Sequence, residues 1–379
     1  MIASILTLGL GLSSAPAMEP LALEGEKVAI RASRVEVGDG SSIEDALILI
    51  EDGTIVSVTS GGEAPGDAAY FEHHGVVSPG MIACRSYHGL RGGSIDTTRA
   101  LLPTANVVDS LDRNHSSLRI ARDAGITSLV IAPRPTTIAG GTTAVIKTHG
   151  GAVEREHAHL ALSIGDGALD ANRLPTSVGG AIRALDAHFE AGEGVFGAAR
   201  SGEMSILIDA PARDDVARAA ALAQRHMLSG AIRGASWGGE MIEVIQGSGL
   251  HVILAPLGPG TARRTLNSVA AMAEAGIAYG FALDGPGHAP GDLRFSAAMA
   301  LRAGASRESA VRSLFANAAA IAGVSASAGK VAPGMDADLV FWSGDPLDLA
   351  SSVDGVWVDG EHVYERDGYG DDDEEEDDA

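Results

Sequence analysis

Between Lys27 and Val77 apolar and polar residues alternate in short runs, VAIRASRVEV and then DALILIEDGTIVSVTS. A period of two is the mark of a strand with one face buried. Glu51-Asp52-Gly53 divides two such runs. Asp-Gly tolerates the positive φ angles of a tight hairpin, so this portion predicts a small antiparallel β unit. After Gly80 the texture changes to continuous apolar runs: ITSLVIA (126–132), TAVIKTH (143–149), MSILIDA (204–210), LHVILAPL (250–257) and IAYGFALD (277–284). Between them lie Ala-rich amphipathic stretches such as RDDVARAAALAQRH and TARRTLNSVAAMAEAG. Strands buried on both faces and alternating with helices predict parallel βα units. About eight such units over about 250 residues fit a TIM-type (β/α)8 barrel, and no GxGxxG opens a helix to favour a dinucleotide fold. The chain then returns to β character, with Asp338–Trp342 and Val356–Val358 as strands and Asp359-Gly360 as a turn. The expected organisation is a barrel over 78–325, flanked by a composite β-sandwich domain formed by N- and C-terminal segments, 24–77 and 326–367.

Composition changes this picture little. A chain of 379 residues and 38.5 kDa, 45% hydrophobic, has ample core. Its single cysteine, Cys84, cannot form an internal disulfide. A formal net charge of -23 argues against nucleic acid and anionic membranes as partners, since both are polyanions. Part of that charge sits in the closing DDDEEEDDA, which reads as a solvated acidic tail over 368–379. Residues 1–17, MIASILTLGLGLSSAPA, lack charge and end in Ala15-Pro16-Ala17, the small-x-small pattern of a cleaved leader. Export to a periplasmic or extracellular space is the expectation, with the cytoplasm as the alternative if the segment is no signal peptide. No segment reaches the length of a membrane span.

Candidate chemistry enters through motifs. The block GKVAPGMDADLVFWSGDPLDLASSVDGVWVDGEHVY resembles the C-terminal signature of the amidohydrolase superfamily, in its imidazolonepropionase-like branch. In order it holds a Gly, a Pro-Gly, an Ala-Asp-Leu-Val strand, a Gly-Asp-Pro-Leu loop and a closing Val-Asp-Gly turn. VVSPGMIACR looks like the family's Pro-Gly-aliphatic lead-in to its first barrel strand, and GIAYGFALDGPG is similar to its last. The resemblance spans about residues 27–366. It implies a barrel with a composite β domain and a metal centre, commonly zinc, that activates water against a C–N bond. It also implies an Asp at the end of the final strand that serves as ligand and base.

In the family the first strand ends Asp-x-His-x-His; the same places here hold Ala83, Arg85 and Tyr87. A guanidinium has no lone pair to offer a metal. His88 is one residue out of step and would need a bulge to reach the inner face. The places of two later histidines correspond to Asp209 and Arg233, and Asp284 stands where the family keeps its catalytic Asp, either as a base or as an anion paired with Arg85 or Arg233. Lys147 is compared with the carbamylated lysine that bridges two metals in some members, and is expected to be structural or to face substrate. His149 is expected at the catalytic end of a strand. His157 and His159 form the one His-x-His, in a segment read as surface. The catalytic candidate is thus Asp284; the pocket candidates are Arg85, Tyr87, Lys147, His149, Asp209 and Arg233. No cofactor is expected, since the zinc the family implies lacks its ligands. The leading functional expectation is a non-catalytic or strongly altered member of a class that hydrolyses non-peptide C–N bonds, with a small-molecule ligand at the barrel mouth or an intact paralogue, or a second copy, as partner. The alternative is an active amide or cyclic-amide hydrolase using Asp284 with Asp209, His149 or His88.

Overall fold

The computed structural model describes residues 27–92, 95–284 and 288–366. The leader at 1–17 and the acidic run at 368–379 lie outside them, as do residues 285–287 of the loop after the last strand of the central region. Four strands open the described chain: β1 (Lys27–Glu36), β2 (Ser42–Glu51), β3 (Thr54–Ser60) and β4 (Ala69–Pro79). The central region carries β5 (Met81–Ser86), β6 (Ile126–Ile131), β7 (Ala139–Thr142), β8 (Ala144–Lys147) and β9 (Val153–Arg155). It continues with β10 (His159–Ser163), β11 (Ser205–Asp209), β12 (Gly230–Arg233), β13 (His251–Leu254) and β14 (Tyr279–Phe281). Strands β15 (Leu339–Trp342), β16 (Val353–Val358) and β17 (Glu361–Glu365) close the chain.

Both ends of the chain build one seven-stranded sheet in the order β17-β16-β15-β4-β1-β2-β3. The sequence expectation was of a sandwich; the strands form a single hydrogen-bonded sheet. Strands from its two ends share one apolar cluster, which joins Ile30, Ile48 and Ile55 to Leu339, Phe341 and Trp357. Its two Asp-Gly turns have positive φ at both residues, 48° and 74° at Asp52-Gly53 and 51° and 79° at Asp359-Gly360. The turn tips touch, so a Cβ on Gly53 would meet the carbonyl oxygen of Asp359.

In the central region β14-β13-β12-β11-β10 run parallel, with β7 antiparallel on β10, while a second sheet runs β5-β6-β8-β9. The two sheets are joined twice. A parallel bridge links Ser86 to Leu283, with the Leu283 amide donating to the Arg85 carbonyl. On the other side β7 and β8 are consecutive: one pairs with β10, the other antiparallel with β6. The inward layer is apolar, with Ile82, Cys84, Val130, Val145, Leu207, Ala231, Ile253 and Ala282 in one cluster. Met81, Leu129, Ile206, Ile232 and Val252, on the opposite faces, pack in the larger cluster with the helices. Those helices are α1 (Ser116–Asp123), α2 (Val178–Ala191), α3 (Gly194–Ser201), α4 (Arg213–His226), α5 (Ile242–Ser248), α6 (Arg263–Glu274), α7 (Gly291–Ala303), α8 (Arg307–Leu314) and α9 (Ala316–Ala322). Among the described residues no helix is long and apolar enough to cross a membrane.

Candidate functional site

Alternation along a strand fixes which residues share a face. Asp209 follows Leu207, Arg233 follows Ala231 and Asp284 follows Ala282, each by two places, so all three continue the inward apolar face at the C-terminal ends of parallel strands. Asp209 and Arg233 are direct register partners on β11 and β12. Arg85 obeys a different rule. Regular alternation would send it to the outer face with Met81 and Ala83, but β5 advances from Ala83 to Ser86 while β6 advances only from Leu129 to Ile131. This extra residue is a β-bulge, and it turns Arg85 inward.

The four side chains meet as a closed quartet. Arg85 Nη1 donates to Asp209 Oδ2 at 2.9 Å, and Arg233 Nη2 donates to Asp284 Oδ1 at 2.9 Å. Two diagonal contacts complete it: Arg85 Nη1 to Asp284 Oδ2 at 3.0 Å and Arg233 Nη1 to Asp209 Oδ2 at 3.5 Å. The 3.0 Å contact lacks hydrogen-bond alignment, so Asp284 Oδ2 counts as unpartnered by geometry while its charge is still compensated. Arg85 is 2% exposed and its second terminal nitrogen donates to the Pro133 carbonyl at 3.0 Å. Two cations and two anions cancel, which is what allows four ionised groups to be buried together. Burial pushes the Asp209 carboxyl up, an effect that Arg85 and Arg233 only partly offset. Burial pulls Arg233 down, but Asp284 and Asp209 outweigh it and hold the guanidinium above its ordinary value.

Tyr87 lies at the rim, its ring 5.5 Å from the Arg85 guanidinium and 4.5 Å from that of Arg134, and burial raises its phenol. Lys147 and His149 are elsewhere, contrary to the sequence expectation. Strand β8 runs antiparallel to β6, with Lys147 opposite Ser128, so its C-terminal end points to the end of the strands remote from the quartet. There Lys147 Nζ reaches Asp338 at 2.8 Å, Asp336 at 2.9 Å and Asp359 at 3.1 Å, tying the central region to the terminal sheet. His149 sits 3.5 Å from Glu361 of the same sheet. His88 is not brought inward by the bulge, which falls before it; its Nδ1 lies 2.8 Å from Ser86 Oγ. The His-x-His pair is also split. His157 is half exposed beside Thr142, whereas His159, expected on the surface, opens β10 and is buried between Thr143 Oγ1 and the Ile321 carbonyl, both at 2.7 Å.

Residues 239–364, which include β13, β14 and Asp284, match the model of the Amidohydrolase family. The chain superposes on an amidohydrolase from Thermotoga maritima MSB8 with a TM-score of 0.81, at 22% identity, covering 89% of this chain and 100% of that one. The family match is confined to residues 239–364, and the wider likeness to solved amidohydrolases is one of fold. Other amidohydrolase-like neighbours are more distant. Molinate hydrolase gives a TM-score of 0.60 at 14% identity, covering 90% and 95% of the two chains, and an adenosine deaminase from Xanthomonas campestris with bound zinc gives 0.56 at 16%, covering 89% and 93%. A search of curated protein sequences finds no match.

The superfamily implies zinc, and the donor set here does not fit it. Among the described residues the inward carboxylates at the strand ends are Asp209 and Asp284, and both are engaged by guanidinium groups. Among the described residues no three His, Cys, Asp or Glu side chains are grouped to hold a metal ion. Sequence reasoning missed the loop after β6. Arg134 and Thr137 stand beside Arg85 there, and the signal open to it was PRPTT directly after a strand end.

Proposed function

We propose that this chain is an amidohydrolase-superfamily protein in which a salt-bridge quartet stands in the place of the metal centre, and that it binds a ligand without hydrolysing it. Placing the quartet at a barrel mouth belongs to the same proposal. It is supported by eight ring positions (β5, β6, the continuous β7–β8 segment, β10, β11, β12, β13 and β14) and by the bridge from Ser86 to Leu283. The observation that carries the functional reading is the position of Arg85, turned inward by a bulge and 2.9 and 3.0 Å from the two carboxylates. A hydrolytic base must meet a water to take its proton, and the Asp284 side chain is only 1% exposed. In this quartet Asp284 instead neutralises two guanidiniums. The charge a metal dication would supply is supplied by two permanent cations, and the cluster holds four strand ends together.

The test is an activity assay on purified full-length protein with N-acyl amino acids and cyclic amides, alongside the Asp284→Asn variant. The reading predicts no hydrolysis by either form. Turnover by the wild type that is abolished in the variant would overturn it in favour of a hydrolase working through Asp284.

A further inference from the structure

Beside the quartet, on the side of β6, lies a narrow cavity of about 10 Å³ lined by Arg85, Pro133, Arg134, Thr137, Gly140 and Leu162. Its size suits one water-sized atom group and no more. Two of its lining residues each carry a buried atom with no partner among the described residues: Nε of Arg85, a residue 2% exposed, and Oγ1 of Thr137, also 2% exposed. A buried donor without an acceptor is costly, and two on one cavity mark a place for an acceptor atom. At the outer edge stands Arg134, exposed to solvent. Among the described residues its guanidinium meets the Tyr87 ring at 4.5 Å and no carboxylate. The quartet's own charges cancel, so among the described residues Arg134 brings an uncompensated charge to this edge.

We propose that this niche takes one oxygen of a carboxylate-bearing small molecule, with Arg134 holding the second oxygen from the solvent side. The donor types and the size of the niche point the same way: Arg85 Nε–H and the Thr137 hydroxyl can each donate to an oxygen, and a guanidinium pairs with a carboxylate in a planar, two-point manner. The proposal names the ligand class for the non-hydrolytic site described above and rests on that reading, because Arg85 offers its Nε here only while Nη1 is held by the quartet and Nη2 by the Pro133 carbonyl.

The experiment is an NMR titration of isotope-labelled, full-length protein with N-acetylglycine, and with N-acetylglycinamide as the neutral probe of the same shape. The expected result is saturable binding of the acid, none of the amide, and affinity for the acid reduced about tenfold by Arg134→Gln and about threefold by Thr137→Val. Arg134 is exposed, so its variant should melt like the wild type. No binding of the acid, equal binding of the amide, or an affinity that either substitution leaves unchanged would overturn the niche. Hydrolysis of a probe would overturn the functional reading instead, and the two failures are told apart because the titration follows unaltered ligand.

Discussion

Arg85 is the residue on which the site turns. Sequence comparison puts it where a metal-ligating histidine belongs, but only the bulge between Ala83 and Ser86 brings it inside, and a bulge leaves no mark in a run of six buried residues. Removing one partner of a buried charge cluster strands the others. Asp284→Asn should therefore cost about 3 kcal/mol of folding stability, read as a lower urea midpoint at constant slope; an unchanged midpoint would count against a compensated quartet. His159 yields a second prediction at this scale. The Ile321 carbonyl can only accept, so Nε2 carries the proton and Nδ1 accepts from the Thr143 hydroxyl, which makes the buried ring neutral. Burial lowers its pKa from 6.5 to about 4. A depressed folded value means the ring's contribution is complete above about pH 6.5 and is lost as pH falls toward 4, a change of about 3 kcal/mol. Denaturation midpoints measured between pH 7 and 4.5 should fall steeply in the wild type and much less in His159→Gln.

At the scale of elements the hydrophobic pattern exposed most strands but not their directions. TAVIKTH reads equally well as a parallel or an antiparallel strand, because four buried residues carry no polarity; the antiparallel choice is what sends Lys147 and His149 away from the site. The strand at His159–Ser163 was hidden by the charged Glu154-Arg155-Glu156 before it. Asp209, Arg233 and Asp284 were legible because each ends an apolar run two places beyond a buried residue. Lys147 now has a structural role with its own test. Its ammonium is held above its ordinary value because Asp338, Glu154 and Asp359 outweigh the effect of burial. Lys147→Met would strand Asp338, which is 4% exposed, and should cost about 3 kcal/mol. Amide exchange at 336–338 should quicken in that variant, and unchanged exchange would argue against the tie. Gly230 limits the neighbouring strand: at φ 138° a Cβ would lie 2.0 Å from the Ile206 carbonyl oxygen. Gly230→Ala should lose upwards of about 2 kcal/mol, or fail to yield soluble protein, whereas a melting temperature equal to the wild type would contradict this packing.

For the whole molecule, the two chain ends and the central region form one connected piece. The terminal sheet draws β1–β4 and β15–β17 together, Lys147 ties its turn tips to β8, and Arg307 joins Glu36 and Asp345 at 3.0 Å each. This composite sheet was readable from the sequence because short strands with an Asp-Gly turn mark both ends of the chain. That Ala83, Arg85 and Tyr87 stand where the resembling family keeps its ligands was readable too, and neither alanine nor arginine offers a lone pair. What could not be read is how the space is filled, because that depends on contacts between positions as far apart as Arg85 and Asp284. The central claim is that guanidinium groups occupy the place of the metal. Its most direct test is the metal content of the full-length protein, purified without chelator from cells supplied with zinc and manganese. The account predicts far less than one ion per chain; one ion per chain, lost on Asp284→Ala, would contradict it.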